Sequence, residues 1–111
     1  MKLPRQVYAL RHEATGKIYI GSTANPYQRF LKHLNRLKNG THNSKDFQAD
    51  YDQHENKDIS LIILDEIKTF EDRVKEYEWM AYYQTFDHRR GYNYADPSLP
   101  TSPSHNWRSK A

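Results

Sequence analysis

The segment KIYIGSTANPYQRFLKH, residues 17–33, joins a short β-like run to a helix whose charged side chains are all basic. Arg29, Lys32 and Arg36 recur at spacings of three and four, so they share one side of that helix, and His33 accompanies them. Arginine carries a permanent charge and a planar fork that suits phosphate oxygens, and histidine can exchange protons near neutral pH. This combination predicts a site for an anionic ligand where the strand meets the helix.

Charge is distributed unevenly along the 111 residues, whose net charge is +3. Residues 1–45 hold nine lysines and arginines against one acid, whereas residues 46–111 hold eight against 13 acids, so the two parts carry +8 and −5. Such a division within one small domain favours a polyanion bound on the basic side. Chance clustering on a solvated surface is the alternative at this point.

The composition is that of one small domain with a modest core. Fifteen aromatic residues, nine of them tyrosines, supply core material despite a mean hydropathy of −1.09. The chain has no cysteine, which excludes disulfides and thiolate metal sites. No apolar run approaches the roughly 18 residues of a membrane span, and the N-terminus lacks a signal peptide's apolar core. We therefore expect a soluble, cytoplasmic protein without a membrane partner.

Two β-like runs open the chain, at residues 5–12 and 17–23, and a turn ending in Gly16 separates them. This arrangement predicts a β-hairpin. Tyr8 and Tyr19 then belong to adjacent strands and can lie close together.

The first predicted helix has a start signal and a stop signal. Asn25 is a capping residue, Pro26 takes the first helical position and Gly40 ends the helix. An apolar stripe is formed by Tyr27, Phe30, Leu31, Leu34 and Leu37. The basic residues, with His33 among them, are expected on roughly the opposite side.

The remaining elements are a weak polar helix at 43–54, a strand at 58–67 and a helix at about 70–86. The run LIIL within the strand is apolar on both faces, which is typical of a central strand. Thr69 and Asp72 form a capping pair for the last helix. The order β-β-α-α-β-α predicts an α+β fold, a small three-stranded antiparallel sheet flanked by helices. Proline and serine accumulate near the end, so we expect a domain over residues 1–96 and a tail or truncated linker over 97–111.

Several short motifs in this order carry a family resemblance. Tyr8 in QVYAL, then KIYIG with Tyr19 and Gly21, then Arg29 in a following helix, resemble the GIY-YIG nuclease domain. RFLKH, GTHNS, KEYEW and GYNYAD extend the resemblance to the catalytic domain of phage intron-encoded GIY-YIG homing endonucleases, over roughly residues 6–96. One departure is that the first motif lacks its glycine.

The resemblance implies a Mg²⁺-dependent endonuclease that hydrolyses phosphodiester bonds of double-stranded DNA, with Mn²⁺ able to substitute. Matching positions imply catalytic roles for Tyr8, Tyr19, Arg29, His33, His42 and Asn93, and metal binding for Glu76. We expect DNA contacts from Lys17, Lys32, Arg36 and Lys38. The resemblance also implies action as a monomer or as a transient dimer on DNA, in a bacterial host's cytoplasm if the gene is phage-encoded.

These residue types suit phosphodiester hydrolysis, which requires an activated water and neutralisation of charge on the phosphate. Glu76 offers a hard oxygen ligand for one Mg²⁺ ion that keeps most of its waters, and Arg29 offers a fixed positive charge. Tyr8 can accept the water's proton only if neighbouring cations lower its pKa from about 10. His33 or His42 can shuttle protons near neutral pH.

Each of these residues has a structural alternative. Tyr8 and Tyr19 can be cross-strand core residues, and Glu76 can be one exposed acid among several. Asn93 either orients a water or makes a turn, and His42 can be a loop residue. A catalytically silent DNA-binding domain on the same scaffold is the alternative function, and a small structural protein is a second rival. We expect surface positions for His12, His54, His88 and His105.

Overall fold

The computed structural model describes residues 5–69 and 74–93. The elements in chain order are β1 (Arg5–His12), β2 (Ile18–Thr23), α1 (Pro26–Asn39), α2 (Lys45–Gln53), β3 (Ile59–Ile67) and α3 (Lys75–Tyr83). The α+β class and the predicted order are confirmed. The predicted boundary at residue 96 and the tail 97–111 lie outside the described residues. None of the helices in the described ranges is long and apolar enough to cross a membrane.

The three strands form one antiparallel sheet in the order β2-β1-β3. The central strand is β1, and its residues from Val7 to Leu10 are all buried. The prediction that β3 is the central strand is wrong, because among the described residues it pairs with β1 alone and its Ile63 is 47% exposed. An apolar run predicts that both faces of a strand are buried, but it does not show how many strands lie beside it.

The alternation of side chains along β1 divides the core into two clusters on opposite sheet faces. The face toward α3 holds the buried residues Val7, Ala9, Ile20, Ile67 and Met80. The face toward α1 and α2 holds Tyr8, Leu10, Leu37, Phe47 and Tyr92. Tyr19 packs against this second cluster, so Tyr8 and Tyr19 share a sheet face as the hairpin predicted.

Helix α1 has the predicted ends. The Asn25 side chain accepts a hydrogen bond from the Gln28 N–H at 3.3 Å, and Gly40 closes the helix at φ 75°. The buried face differs from the predicted stripe, since Leu31 is exposed and His33 is buried beside Leu37. The prediction that His33 lies on the solvated basic side is wrong, because its ring is drawn inward by a hydrogen bond described below.

The last two helices are shorter than predicted. Ser44 caps α2, and Phe47 is its buried residue. Helix α3 ends at Tyr83 rather than at Phe86, because Gln84 adopts the left-handed conformation with φ 56°. The predicted start and capping pair of this helix involve residues 70–73, which lie outside the described residues.

Candidate functional site

A pocket of about 250 Å³ lies where α1 meets β2 and the loop before α2. Its lining consists of Tyr19, Arg29, Lys32, His33, Arg36, His42 and Asn43. The three cations and His33 lie on α1, His42 lies in the loop before α2, and the phenol of Tyr19 comes from β2. The structure therefore brings together six of the residues that the sequence assigned to catalysis or DNA contact.

The cations of the pocket form no ion pair with a carboxylate of the described residues. Within residues 5–69 and 74–93, no Asp or Glu forms an ion pair with Arg29, Lys32 or Arg36. Lys17 differs, because its Nζ lies 3.2 Å from Asp50 Oδ2. A concave site lined by uncompensated cations attracts anions, and phosphate is the anion for which arginine geometry is best suited.

Tyr8 lies beneath this pocket, buried against the backbone of β2. It pairs across the hairpin with Gly21, and a Cβ atom on that glycine would meet the Tyr8 hydroxyl oxygen at 2.5 Å. On the other side of Tyr8, the register with β3 shifts by one residue, between Val7 and Tyr8. Irregularities of this kind are frequent next to functional sites, where they redirect a side chain.

A chain of hydrogen bonds links Tyr8 to the two histidines. The Tyr8 hydroxyl lies 2.9 Å from His33 Nε2, and His33 Nδ1 lies 2.8 Å from His42 Nε2. The Ser44 backbone N–H donates to His42 Nδ1 at 3.0 Å. These bonds explain why His33 is buried and why His42 is a core residue rather than an ordinary loop residue.

Burial alters the ionisation of this chain. Desolvation, aided by His42 and by Arg29, lowers the pKa of His33 to about 3, and desolvation with the Arg36 charge lowers the pKa of His42 to about 4. Both rings are therefore neutral near pH 7, which does not favour the proton shuttle that the sequence suggested. Desolvation also raises the pKa of Tyr8, although the nearby Arg29 charge lowers it. In the free protein Tyr8 is a neutral phenol.

Glu76 lies on α3 and is held by β2. The Ser22 hydroxyl donates to Glu76 Oε1 at 2.6 Å, and the Ser22 carbonyl oxygen accepts from Arg5 Nη2 at 2.8 Å. Desolvation raises the pKa of Glu76, while Ser22, Arg5 and Arg29 oppose that shift. The same Arg29 charge acts on Tyr8 and Tyr19, so Glu76 and the two tyrosines share one electrostatic environment around Arg29.

The carboxylate of Glu76 fits a metal ion that takes few protein ligands. No group of three or more His, Asp or Glu side chains suited to a metal occurs in the described parts of the chain. Mg²⁺ is commonly bound by one or two carboxylates, with water and substrate phosphates as its other ligands. The hydrogen bond from Ser22 to Oε1 holds the carboxylate in a defined orientation, which is consistent with such a site.

Asn93 has its amide group engaged with the backbone of β2. The Ile20 N–H donates to Asn93 Oδ1 at 2.8 Å, and Asn93 Nδ2 donates to the Ile20 carbonyl at 2.9 Å. This pairing extends the outer edge of β2, where Gly91 also bridges to Ile18. A catalytic role for Asn93 stays a prediction, and the observed contacts are those of a residue that positions β2.

The predicted DNA contacts divide into two groups. Lys32 and Arg36 line the pocket, and Lys38 is exposed in the last turn of α1. Lys17 is set apart by its ion pair with Asp50, and its Nζ also lies over the ring of Tyr92.

Sequence reasoning missed Ser22 and Ser44 and misplaced His12. The alternation along β2 puts Ser22 on the face toward α3, where Glu76 lies, so this signal was present in the sequence. His12 was expected at the surface but is fully buried, where its Nδ1 lies 3.1 Å from Thr15 Oγ1. His105 lies outside the described residues.

Comparison with known proteins agrees with this geometry. A family model described as the GIY-YIG catalytic domain matches residues 5–93. The chain is 29% identical over 93 residues to Intron-associated endonuclease 1 of Enterobacteria phage T4, covering 84% of this chain and 38% of that protein. The chain thus spans well under half of that relative's length.

Two solved structures share the fold. The catalytic domain of homing endonuclease I-TevI superposes with a TM-score of 0.71 at 26% identity, over 83% of this chain and 99% of the other. A point mutant of the I-TevI catalytic domain superposes with a TM-score of 0.72 at 25% identity, over 87% of this chain and 99% of the other.

Proposed function

Because the chain belongs to the GIY-YIG catalytic-domain family and is therefore of a nuclease type, we propose that it is a Mg²⁺-dependent endonuclease that cuts double-stranded DNA. The proposal includes action as a monomer or as a transient dimer on DNA. It also includes a homing-type activity in a larger protein, since the T4 relative extends well beyond the matched region.

The observation that carries the proposal is the position of Arg29. Its guanidinium lines the pocket, and its charge acts on Tyr8, Tyr19 and Glu76 together. A phosphate bound to Arg29 would therefore lie among the phenols and the carboxylate that its hydrolysis requires. A merely solvated arginine would not be surrounded by ionisable groups from three different elements.

The residues of the pocket divide the work of hydrolysis. Arg29 neutralises charge that develops on the phosphate oxygens, and Lys32 and Arg36 hold the flanking backbone phosphates. Tyr19 lines the pocket and can orient the attacking water through its hydroxyl. Tyr8 could accept the water's proton only as a phenolate, after its own proton had passed to solvent, and additional positive charge nearby would be needed because burial raises its pKa.

Glu76 would hold the metal ion, and Ser22 would orient its carboxylate. A bound Mg²⁺ ion would supply positive charge to the scissile phosphate and to the oxygen nucleophile. Ionisation of Glu76 is a condition for this role, and Arg5 and Arg29 promote it by lowering the pKa of the carboxyl.

The test is cleavage of supercoiled plasmid by the purified chain with Mg²⁺ or with EDTA. We expect nicking in Mg²⁺, none in EDTA, and a loss of at least about a hundredfold in Glu76→Gln, by analogy with other removed charge-stabilising groups. Glu78→Gln is the matched control, because Glu78 is an exposed acid on the same helix. Nicking that survives in Glu76→Gln would contradict the metal assignment.

Binding measurements separate the nuclease from a silent DNA-binding domain. Arg29→Ala should reduce the cleavage rate far more than the affinity for a short duplex, whereas Lys38→Ala should alter affinity only slightly. Affinity should fall steeply with salt because the contacts are to phosphates. Salt-sensitive binding without any Mg²⁺-dependent cleavage would identify the chain as a binding domain and refute the proposal.

A further inference from the structure

One backbone donor determines the hydrogen-bond roles of both pocket histidines. The Ser44 N–H lies 3.0 Å from His42 Nδ1, and a backbone N–H can only donate. Nδ1 of His42 must therefore present a lone pair. A neutral imidazole carries one ring proton, so the proton of His42 is on Nε2.

The same reasoning applies at the next bond. His42 Nε2 lies 2.8 Å from His33 Nδ1, and since it carries the proton, His33 Nδ1 must accept. The proton of neutral His33 is then on Nε2, which lies 2.9 Å from the Tyr8 hydroxyl. We infer that the Ser44 backbone N–H orients a relay through His42 and His33 in which the Tyr8 oxygen receives a hydrogen bond and keeps its own proton for another acceptor.

Ser44 is held firmly enough for this role. Its side chain is buried, and its hydroxyl donates to the Tyr92 carbonyl at 2.7 Å while accepting from the Phe47 N–H at 3.4 Å. It is the N-cap of α2, so its backbone conformation is set by the helix and by the core. Reversing the relay would force two N–H groups to point at each other between Ser44 and His42, at a buried position where neither can turn to water.

The consequence concerns the direction in which protons can move. His33 cannot take the Tyr8 proton as a neutral ring, because the nitrogen that faces Tyr8 already carries one. The two histidines and Ser44 are therefore positioning residues for the Tyr8 oxygen. If Tyr8 loses its proton during the proposed reaction, the His33 N–H stabilises the resulting phenolate, and that part of the inference rests on the proposed function.

The relay is testable by NMR on the ¹⁵N-labelled wild-type chain near pH 7, without DNA or metal. Scalar couplings across N–H···N hydrogen bonds should appear between Ser44 N and His42 Nδ1, and between His42 Nε2 and His33 Nδ1. The bridging protons should be bonded to Ser44 N and to His42 Nε2. A proton bonded to His33 Nδ1 or to His42 Nδ1 would overturn the inference.

Ser44→Ala is the matched variant, since it removes the hydroxyl but retains the backbone N–H. Both couplings should persist in it, with unchanged ring tautomers. A ring proton that moves to His42 Nδ1 in this variant, with the amide spectrum otherwise preserved, would assign the orienting role to the hydroxyl and contradict the inference. Because no cleavage is measured, the result stands apart from the success or failure of the nuclease proposal.

Discussion

Acid should destabilise this domain through its buried histidines, and the magnitude follows from their pKa values. His33 and His42 are neutral in the folded protein, with pKa values of about 3 and about 4. In the unfolded chain each would titrate near about 6.5. Below that pH the unfolded state binds more protons than the folded state. The stability that the neutral rings contribute is therefore fully present above about pH 6.5 and is lost as the pH falls.

The expected loss can be calculated for a change from pH 7 to pH 5. Each pH unit below the unfolded pKa costs about 1.4 kcal/mol per proton, so each histidine contributes about 2 kcal/mol by pH 5. Together, His33 and His42 would remove up to about 4 kcal/mol, a large fraction of a typical total stability of about 5–15 kcal/mol. Buried His12, whose pKa is lowered chiefly by desolvation, adds to the same trend.

The assay is urea unfolding of each variant at both pH values, and the quantity compared is the change in unfolding free energy between them. His33→Gln and His42→Gln should each reduce the acid-dependent loss by about 2 kcal/mol, because glutamine does not titrate. Comparison within each variant removes the direct cost of the substitution. Asn39→Gln, at an exposed position that does not titrate, is the control and should leave the loss unchanged. Equal losses in wild type and both buried-histidine variants would refute the reasoning.

Four further substitutions test the packing around the site. Gly21→Ala, whose Cβ would meet the Tyr8 oxygen at 2.5 Å, should displace that phenol and abolish plasmid nicking, at a cost of about 1–3 kcal/mol in the free energy of unfolding measured in urea. Gly91→Ala, whose Cβ would lie 2.3 Å from a backbone carbon, should cost more stability. Equal activity losses per folded molecule in the two variants would contradict this distinction. Tyr8→Phe should reduce nicking at least tenfold and should destabilise the domain by about 1–3 kcal/mol because His33 loses its acceptor; full activity would place the proton acceptor elsewhere. Asn93→Leu should lower the free energy of unfolding by about 2 kcal/mol through two lost hydrogen bonds to β2, and an unchanged urea midpoint would show that those bonds contribute nothing.

The sequence by itself determined the elements and the side of each strand that its residues occupy. Local signals sufficed for this, since Asn25, Pro26 and Gly40 act on their own helix ends and alternation along β1 separates Val7 from Tyr8. The charge asymmetry and the order of the motifs also indicated a basic site built around α1. These features depend on neighbours within a few positions along the chain.

Only the tertiary structure decided which groups meet. β1 rather than β3 is central because strand neighbours are chosen by the packing of the whole sheet, and an apolar run does not record that choice. His33 turns inward because it forms a hydrogen bond with Tyr8, and this partner lies 25 residues away in sequence, beyond the reach of any local pattern. A helix pattern alone cannot distinguish a buried, hydrogen-bonded imidazole from a solvated one. Burying the ring costs desolvation free energy, and the hydrogen bonds that offset this cost come from other elements of the fold.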